Sequence, residues 1–239
     1  MKSWPEVLTF DVVGTLIDFE SGMVDFIRAH CGPAGQAMDR EAFLAAYGAA
    51  HDRAGTLLFP DDMVPVYHIL AEQFDLPRDD AIAEAFAQDA RNWKPFPDTV
   101  AALKRLSKHF KLVAMTNCQR WAFSGLEKSL DYPFFDTVTV DDALCEKPDP
   151  EFFAFTRGRL SRDGIVKDKI LHVAQSQFHD IGIAREMGYC VCWIERRQGL
   201  EGYGATIAVE EATIPDYHFA TLAELADFMD EKAPVAAMA

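Results

Sequence analysis

The chain has 239 residues, 49% of them apolar, and a formal net charge of −15. That length supports one sizeable core, or a core with a small accessory unit. The acidic balance speaks against a nucleic-acid partner, whose phosphates need clustered Lys and Arg. No stretch reaches the roughly 20 apolar residues of a membrane helix.

In chain order, the first apolar run is Val7 to Val13, short, rich in β-branched residues and closed by Gly14, the pattern of a buried parallel strand. The N-terminal residues run straight into it, so no cleavable signal is expected. Residues 20–93 then read as helices only. Met63, Val66, Leu70 and Phe74 share one helical face, as do Ile82, Phe86 and Trp93. Pro95 and Pro97 break this pattern, because each fixes φ and removes a backbone donor.

From Val100 the rhythm becomes helix then strand. Strands are predicted at Lys111 to Thr116, Thr137 to Val140, Ile170 to Ala174 and Cys190 to Ile194. Helices are predicted near Val100 to Phe110, Trp121 to Leu130, after Pro150, at Ile181 to Met187 and at Leu222 to Met229. Repeated β-α units imply a parallel sheet covered on both faces. The predicted fold is therefore α/β, a Rossmann-like doubly wound core of residues 1–18 plus 95–239. Residues 19–94 are expected to form an inserted helical cap.

In such sheets ligands gather at the carboxyl ends of the strands, and four strand ends here carry unusual polar residues. Strand one runs into Asp11-Val12-Val13-Gly14-Thr15, the second core strand into Thr116-Asn117, the third into Glu146-Lys147-Pro148-Asp149, and the fourth into Gln175-Ser176-Gln177-Phe178-His179-Asp180. Each alone is an ordinary turn or cap; their ordered recurrence marks a site. An ammonium at Lys147 would hold Asp11 ionised, making it a nucleophile. Thr15, Thr116, Asn117 and Ser176 are the candidate groups for orienting a small anionic substrate.

These motifs resemble the haloacid dehalogenase superfamily. Asp11-Val-Val-Gly-Thr-Leu is similar to its first motif, Thr116 to its second, Lys147 to its third and Asp180 to its fourth. Within it the chain most resembles the 2-haloacid dehalogenase branch, through Thr116-Asn117, Lys147-Pro148-Asp149 and Trp193-Ile194-Glu195-Arg196. The resemblance implies a covalent route: Asp11 attacks the halogen-bearing carbon, and water then cleaves the aspartyl ester with Asp180 as base. It implies no cofactor; Mg2+ would enter only in a phosphatase or phosphotransferase alternative. A catalytically silent binding protein is the third reading. Related enzymes are often dimers, so a homodimer is an expectation.

Several positions depart from the pattern. The phosphatases of the superfamily carry a second aspartate where this chain has Val13, and a magnesium-binding aspartate where it has Gln175. A missing general acid typically costs about 10²–10⁴ in rate when the leaving group is an alkoxide, whereas halide needs no proton. The dehalogenase branch carries tyrosines at the positions of Val13 and Phe153, Ser and Asn at those of Gln175 and Gln177, and a cap arginine near Tyr47-Gly48, to which Arg53 is nearest here.

Among other residues, His172 and His179 are expected to cap or pack. His51 and Arg53 lie on a cap helix within possible reach of substrate. Tyr47, Phe59 and Trp93 are expected to pack inside the cap, and Asp18 to sit in a turn. Asp141-Asp142 reads as a strand-end turn rather than a metal pair, and Glu210-Glu211 as surface. The segment containing Gly199, Gly202 and Gly204 lacks phosphate-loop spacing and reads as a flexible connection. The five cysteines, Cys31, Cys118, Cys145, Cys190 and Cys192, have no framework spacing and are expected to be reduced thiols of a cytoplasmic protein. Cys118 stands nearest the motifs.

Overall fold

The computed structural model describes residues 4–51 and 57–233; Arg53 lies outside them. Strand β1 (Val7–Phe10) is buried along its whole length. After it come α1 (Phe19–His30), α2 (Gly32–Ala37), α3 (Arg40–His51), α4 (Met63–Gln73) and α5 (Asp80–Asp89), with no strand among the described residues of this stretch. The chain then alternates through α6 (Thr99–Leu106), β2 (Lys111–Thr116), α7 (Arg120–Ser129), β3 (Asp136–Thr139), the short α8 (Val140–Ala143) and α9 (Pro150–Ser161). It closes with β4 (Ile170–Ala174), one π-helical turn (Gln177–Ile181), α10 (Gly182–Glu186), β5 (Cys190–Ile194), β6 (Tyr217–Phe219) and α11 (Leu222–Lys232).

The six strands form one parallel sheet in the order β3-β2-β1-β4-β5-β6. Side chains alternate across it as the pleat requires. Leu8, Phe10, Leu112, Leu171 and Val173 face the layer containing α6 and α11. Val7, Val113, Ile170 and Val191 face the layer of α9 and α10. Each large side chain buried this way stabilises the fold by about 1.5–3 kcal/mol. The first apolar cluster continues into the inserted helices through Met23, Phe43, Tyr67 and Phe86.

Three sequence expectations are corrected. The first strand stops at Phe10 rather than Val13, because the chain turns sharply there: Leu16 N and Ile17 N both donate to Val12 O, and Gly14 takes φ +92°, which disfavours any Cβ. A sixth strand, Tyr217–Phe219, joins the sheet edge beside β5. It is too short and too exposed to carry an apolar run. The predicted helix at Ile181 begins instead with the π-helical turn from Gln177, which carries Asp180.

Helix starts follow local chemistry. Asp149 caps α9 by accepting from Glu151 N at 2.8 Å, with Pro150 in the first turn, an arrangement worth about 1 kcal/mol. Asp18 caps α1 through Ser21 N. Asp142 accepts from Thr139 N and Thr139 Oγ1 at the end of β3 and pairs with Arg120, while Asp141 accepts from Arg120 N, so this acidic pair lies in α8 rather than in a turn and serves the starts of α8 and α7.

Candidate active site

The chain runs outward from β1 to β3, then returns to β4 on the other side of β1. The crevice between the carboxyl ends of β1 and β4 is thus the switch point where ligands bind in open parallel sheets. Asp11 follows β1 directly and keeps the ladder one step further by donating from N to Val173 O at 3.1 Å. Asp180 comes to the same crevice from the turn after β4.

Lys147 lies between them. Its Nζ donates to Asp11 Oδ1 at 2.9 Å and to Asp180 Oδ1 at 2.6 Å, with the lysine 2% exposed. Thr15 Oγ1 donates to Asp11 Oδ2 at 2.6 Å. The tight turn at Gly14 puts this hydroxyl beneath a carboxylate four residues earlier. Thr15 Oγ1 in turn accepts from Gln175 N at 2.8 Å. Asp11 therefore receives one donor on each oxygen, the pattern of an ionised carboxylate.

Burial works against every charge in this trio, and the neighbours decide the outcome. Desolvation pushes the Asp11 carboxyl above the ordinary aspartate value; Lys147 opposes this, and the Asp180 charge adds to the rise. Lys147 is also disfavoured by burial, yet the two carboxylates hold it above the ordinary lysine value. Asp180 would likewise be raised by burial, but Lys147 and His172 bring it down to about 2. Lys147 is accordingly a fixed cation and no base.

The remaining candidates separate into supports and wall. Thr15 is fully buried beneath Asp11, so its place is under that carboxylate. Asn117 borders the cavity, but its side chain holds Lys147: Nδ2 donates to Lys147 O at 2.9 Å and Oδ1 accepts from Lys147 N at 2.8 Å. The polar atoms of both side chains thus engage the protein. Thr116 and Ser176 line the cavity. Thr116 Oγ1 accepts from Cys118 N at 3.1 Å, and Ser176 Oγ accepts from His179 N at 2.9 Å.

The cavity over Asp11, Lys147 and Asp180 has a volume of about 150 Å³, room for a small organic acid. The inserted helices and the segment before α4 contribute Tyr47, Gly48, His51 and Phe59 to its wall. Tyr47 and Phe59 thus do more than pack within the insertion, whereas Trp93 packs behind Phe59, ring centroids 6.0 Å apart. His51 Nε2 pairs with the buried Asp62 Oδ2 at 2.8 Å. Cys118 also borders the cavity, and burial pushes its thiol well up, which leaves it a poor nucleophile. All five cysteines are free.

Two contributions escaped sequence reasoning. His172, expected only to pack or cap, stands behind Asp180 with Nε2 3.0 Å from Oδ1. The loop after β5, expected to be a loose connection, closes one side of the cavity with Ala205, Thr206 and Ile207. Side-chain contacts fasten it, among them these: Glu20 Oε1 accepts from Ala205 N at 2.9 Å, Thr206 Oγ1 donates to Gln175 Oε1 at 3.3 Å, and Gln177 brackets the Thr213 backbone at 2.9 and 3.5 Å. The pair of glutamines in the fourth motif was the available signal, since long neutral amides suit clasping a backbone. Trp193 and Arg196 brace the same region: Trp193 Nε1 donates to Gln175 O at 2.8 Å, and Arg196 donates to Thr15 O at 2.9 Å while paired with Asp98.

Magnesium does not fit these residues. Val13 offers no side-chain oxygen, Gln175 is neutral with its amide oxygen on Thr206, and Asp11 is engaged on both oxygens; the charged carboxylates that hold a hard cation are therefore few here. Among the described residues no group of three or more His, Cys, Asp or Glu is arranged to hold a metal.

The sequence model of the hydrolase family described as haloacid dehalogenase-like hydrolase matches residues 5–188. The chain belongs to that family. This haloacid dehalogenase-like hydrolase is 25% identical over 197 residues to haloacetate dehalogenase H-2 of Moraxella sp. (strain B), an alignment covering 80% of this chain and 86% of the relative. It is 23% identical over 217 residues to (S)-2-haloacid dehalogenase H-109 of Pseudomonas putida, covering 84% and 91%. Its fold matches that of the L-2-haloacid dehalogenase of Xanthobacter autotrophicus with chloropropionic acid covalently bound, at a TM-score of 0.73 and 20% identity over 96% of this chain and 100% of the other. The family assignment makes it an enzyme.

Proposed function

We propose that this hydrolase cleaves the carbon–halogen bond of a small 2-halo acid through an ester on Asp11, without a metal. The observation that carries the reading is the Asp11–Lys147–Asp180 arrangement beside Val13: a held carboxylate, a fixed cation, a second carboxylate, and an aliphatic side chain where an alkoxide leaving group would need an acid. The names of the two relatives, haloacetate dehalogenase and (S)-2-haloacid dehalogenase, support the substrate class. The covalently bound chloropropionic acid in the Xanthobacter enzyme supports the ester.

In this reading an Asp11 oxygen attacks the carbon that bears the halogen; the C–O bond forms as halide leaves with the bonding pair. Water then adds to the Asp11 carbonyl carbon and gives a proton to Asp180. Collapse releases the 2-hydroxy acid, which takes that proton. The water's second proton leaves through Asp11 as its carboxylate is restored. Thr116 and Ser176, on the wall, are the hydroxyls proposed to receive the substrate carboxylate.

Incubation with 2-chloropropionate in oxygen-18 water, with chelator present, tests this. Halide release that ignores chelator, with label appearing in the peptide holding Asp11, is the expected result. Turnover without label means that water attacks the substrate directly. Halide release from no halo acid, with magnesium-stimulated cleavage of an alkyl phosphate, overturns the reading in favour of a phosphatase.

A further inference from the structure

Behind the cavity floor the side chains continue into the sheet. His172 is fully buried on β4 and is the register partner of Thr9 on β1, both pointing to the α9 face. Thr9 Oγ1 is 2.9 Å from His172 Nδ1, and His172 Nε2 is 3.0 Å from Asp180 Oδ1. Phe153 of α9 meets the imidazole edge-on, with centroids 5.3 Å apart at 78°. The ring is thus held on three sides.

The direction of these bonds follows from what each group can do. Asp180 is ionised and can only accept, so His172 Nε2 carries the hydrogen. In the Nε2–H tautomer, Nδ1 accepts from the Thr9 hydroxyl. With His172 and Lys147 both on Oδ1, the other oxygen of Asp180, Oδ2, is buried and has no protein partner. An orphaned buried carboxylate oxygen is costly unless a ligand or water satisfies it, and Asp180 borders the cavity.

We infer that His172 is a positioning residue for the second half-reaction: with Thr9 fixing its tautomer, it pins Asp180 Oδ1 and so aims the free Oδ2 at the water that cleaves the ester. This rests on the reading of Asp11 as the ester-forming nucleophile. The first half-reaction uses Asp11 and Lys147 and does not need the Asp180 lone pair. His172 therefore matters for hydrolysis of the ester and little for its formation. The proton taken from water goes to Oδ2 and returns to the leaving 2-hydroxy acid, so His172 neither gains nor loses one.

The test separates the two steps with 2-chloropropionate as probe. In His172→Leu the expected result is a halide burst near one equivalent per site at the wild-type rate, then turnover slower by roughly 10- to 100-fold, the range for losing an orienting partner. Mass analysis should find the Asp11 peptide esterified. His172→Gln, whose amide can still donate to Asp180, should recover part of the second step, and Thr9→Val should slow that step alone. Equal slowing of both steps, or wild-type hydrolysis in a folded His172→Leu protein, overturns the inference.

A second measurement needs no turnover. Nitrogen-15 NMR of the labelled histidines should show His172 in the Nε2–H tautomer, with a hydrogen-bonded ring proton that disappears in Asp180→Asn. The Nδ1–H tautomer overturns the inference, because a ring lone pair would then face the carboxylate. A wild-type protein that forms no adduct and releases no halide removes the proposed substrate chemistry, while the NMR result still decides the role of His172.

Discussion

Asn117 grips the main chain of Lys147 from both sides, accepting from its N at 2.8 Å and donating to its O at 2.9 Å across 30 residues of sequence. The lysine that bridges two carboxylates is thereby located by the end of β2 rather than by its own loop. Asn117→Ala should release this backbone. Activity should fall about 10- to 100-fold, as when an orienting partner is lost, while the two missing hydrogen bonds cost about 1–3 kcal/mol of stability. Steady-state kinetics and a denaturant melt check this; unchanged kcat would show that Lys147 keeps its place unaided.

The acid limb of the pH–rate profile should belong to Asp11. Its pKa is raised, chiefly by burial, so its carboxylate is lost on acidification before that of Asp180, which is held at about 2. Activity should therefore begin to fall at a pH above the ordinary aspartate value of 3.8. A kcat/KM profile that stays flat to well below pH 3.8 would contradict the raised Asp11 value.

Removing the two charges should have opposite effects on stability. A raised folded-state pKa means that folding disfavours the ionised form of Asp11, a cost present once pH passes the folded pKa. Asp11→Asn should then abolish activity, by at least about 10⁴-fold for a lost nucleophile, with Tm unchanged or higher at neutral pH. Asp180 has a lowered pKa, so its charge contributes stability above the unfolded value that disappears as pH falls toward 2. Asp180→Asn should cost on the order of 2–4 kcal/mol, since it also leaves Lys147 and His172 with a weaker acceptor. Thermal melts at neutral pH compare the pair directly, and a more stable Asp180→Asn protein would contradict the argument.

The loop over the cavity should respond to its clasps. Gly204 has φ +59°, and a Cβ there would stand 1.9 Å from Glu20 Oε1. Gly204→Ala must therefore push the loop away from Glu20 and Arg197, and Gln177→Ala removes both bonds to Thr213. Both variants should raise KM several-fold with little change in kcat, because they loosen wall and not floor. Limited proteolysis should cut the segment around residues 203–213 faster than in the wild type. A fall in kcat at constant KM would place the loop in the chemistry instead.

The parallel α/β core was legible because its central strands are buried on both faces, which forces continuous apolar runs such as Val7 to Phe10 and Leu112 to Met115. β6 was not, since an edge strand of three residues, none of them buried, needs no such run. Asp11 stood out as a charged residue just past a strand end, and Lys147 and Asp180 as charged residues in the connections that follow β3 and β4. Thr15 and Asn117 were visible as polar residues, but their partners were not. Arg53, weighed for contact with substrate, lies outside the described residues.

The sequence by itself determined the order of motifs and the central strands that carry them, because periodicity and strand-end polarity are local properties of the chain; the family was legible through the resemblance of those motifs. Only the tertiary structure decided what each polar atom holds. Thr9 and His172 are 163 residues apart and Asp11 and Lys147 are 136 apart, and such pairs exist only once parallel register is set. Hydrogen bonds are directional and short, so the same serines, threonines and amides become floor, clasp or wall according to a few ångströms of packing that no one-dimensional pattern records.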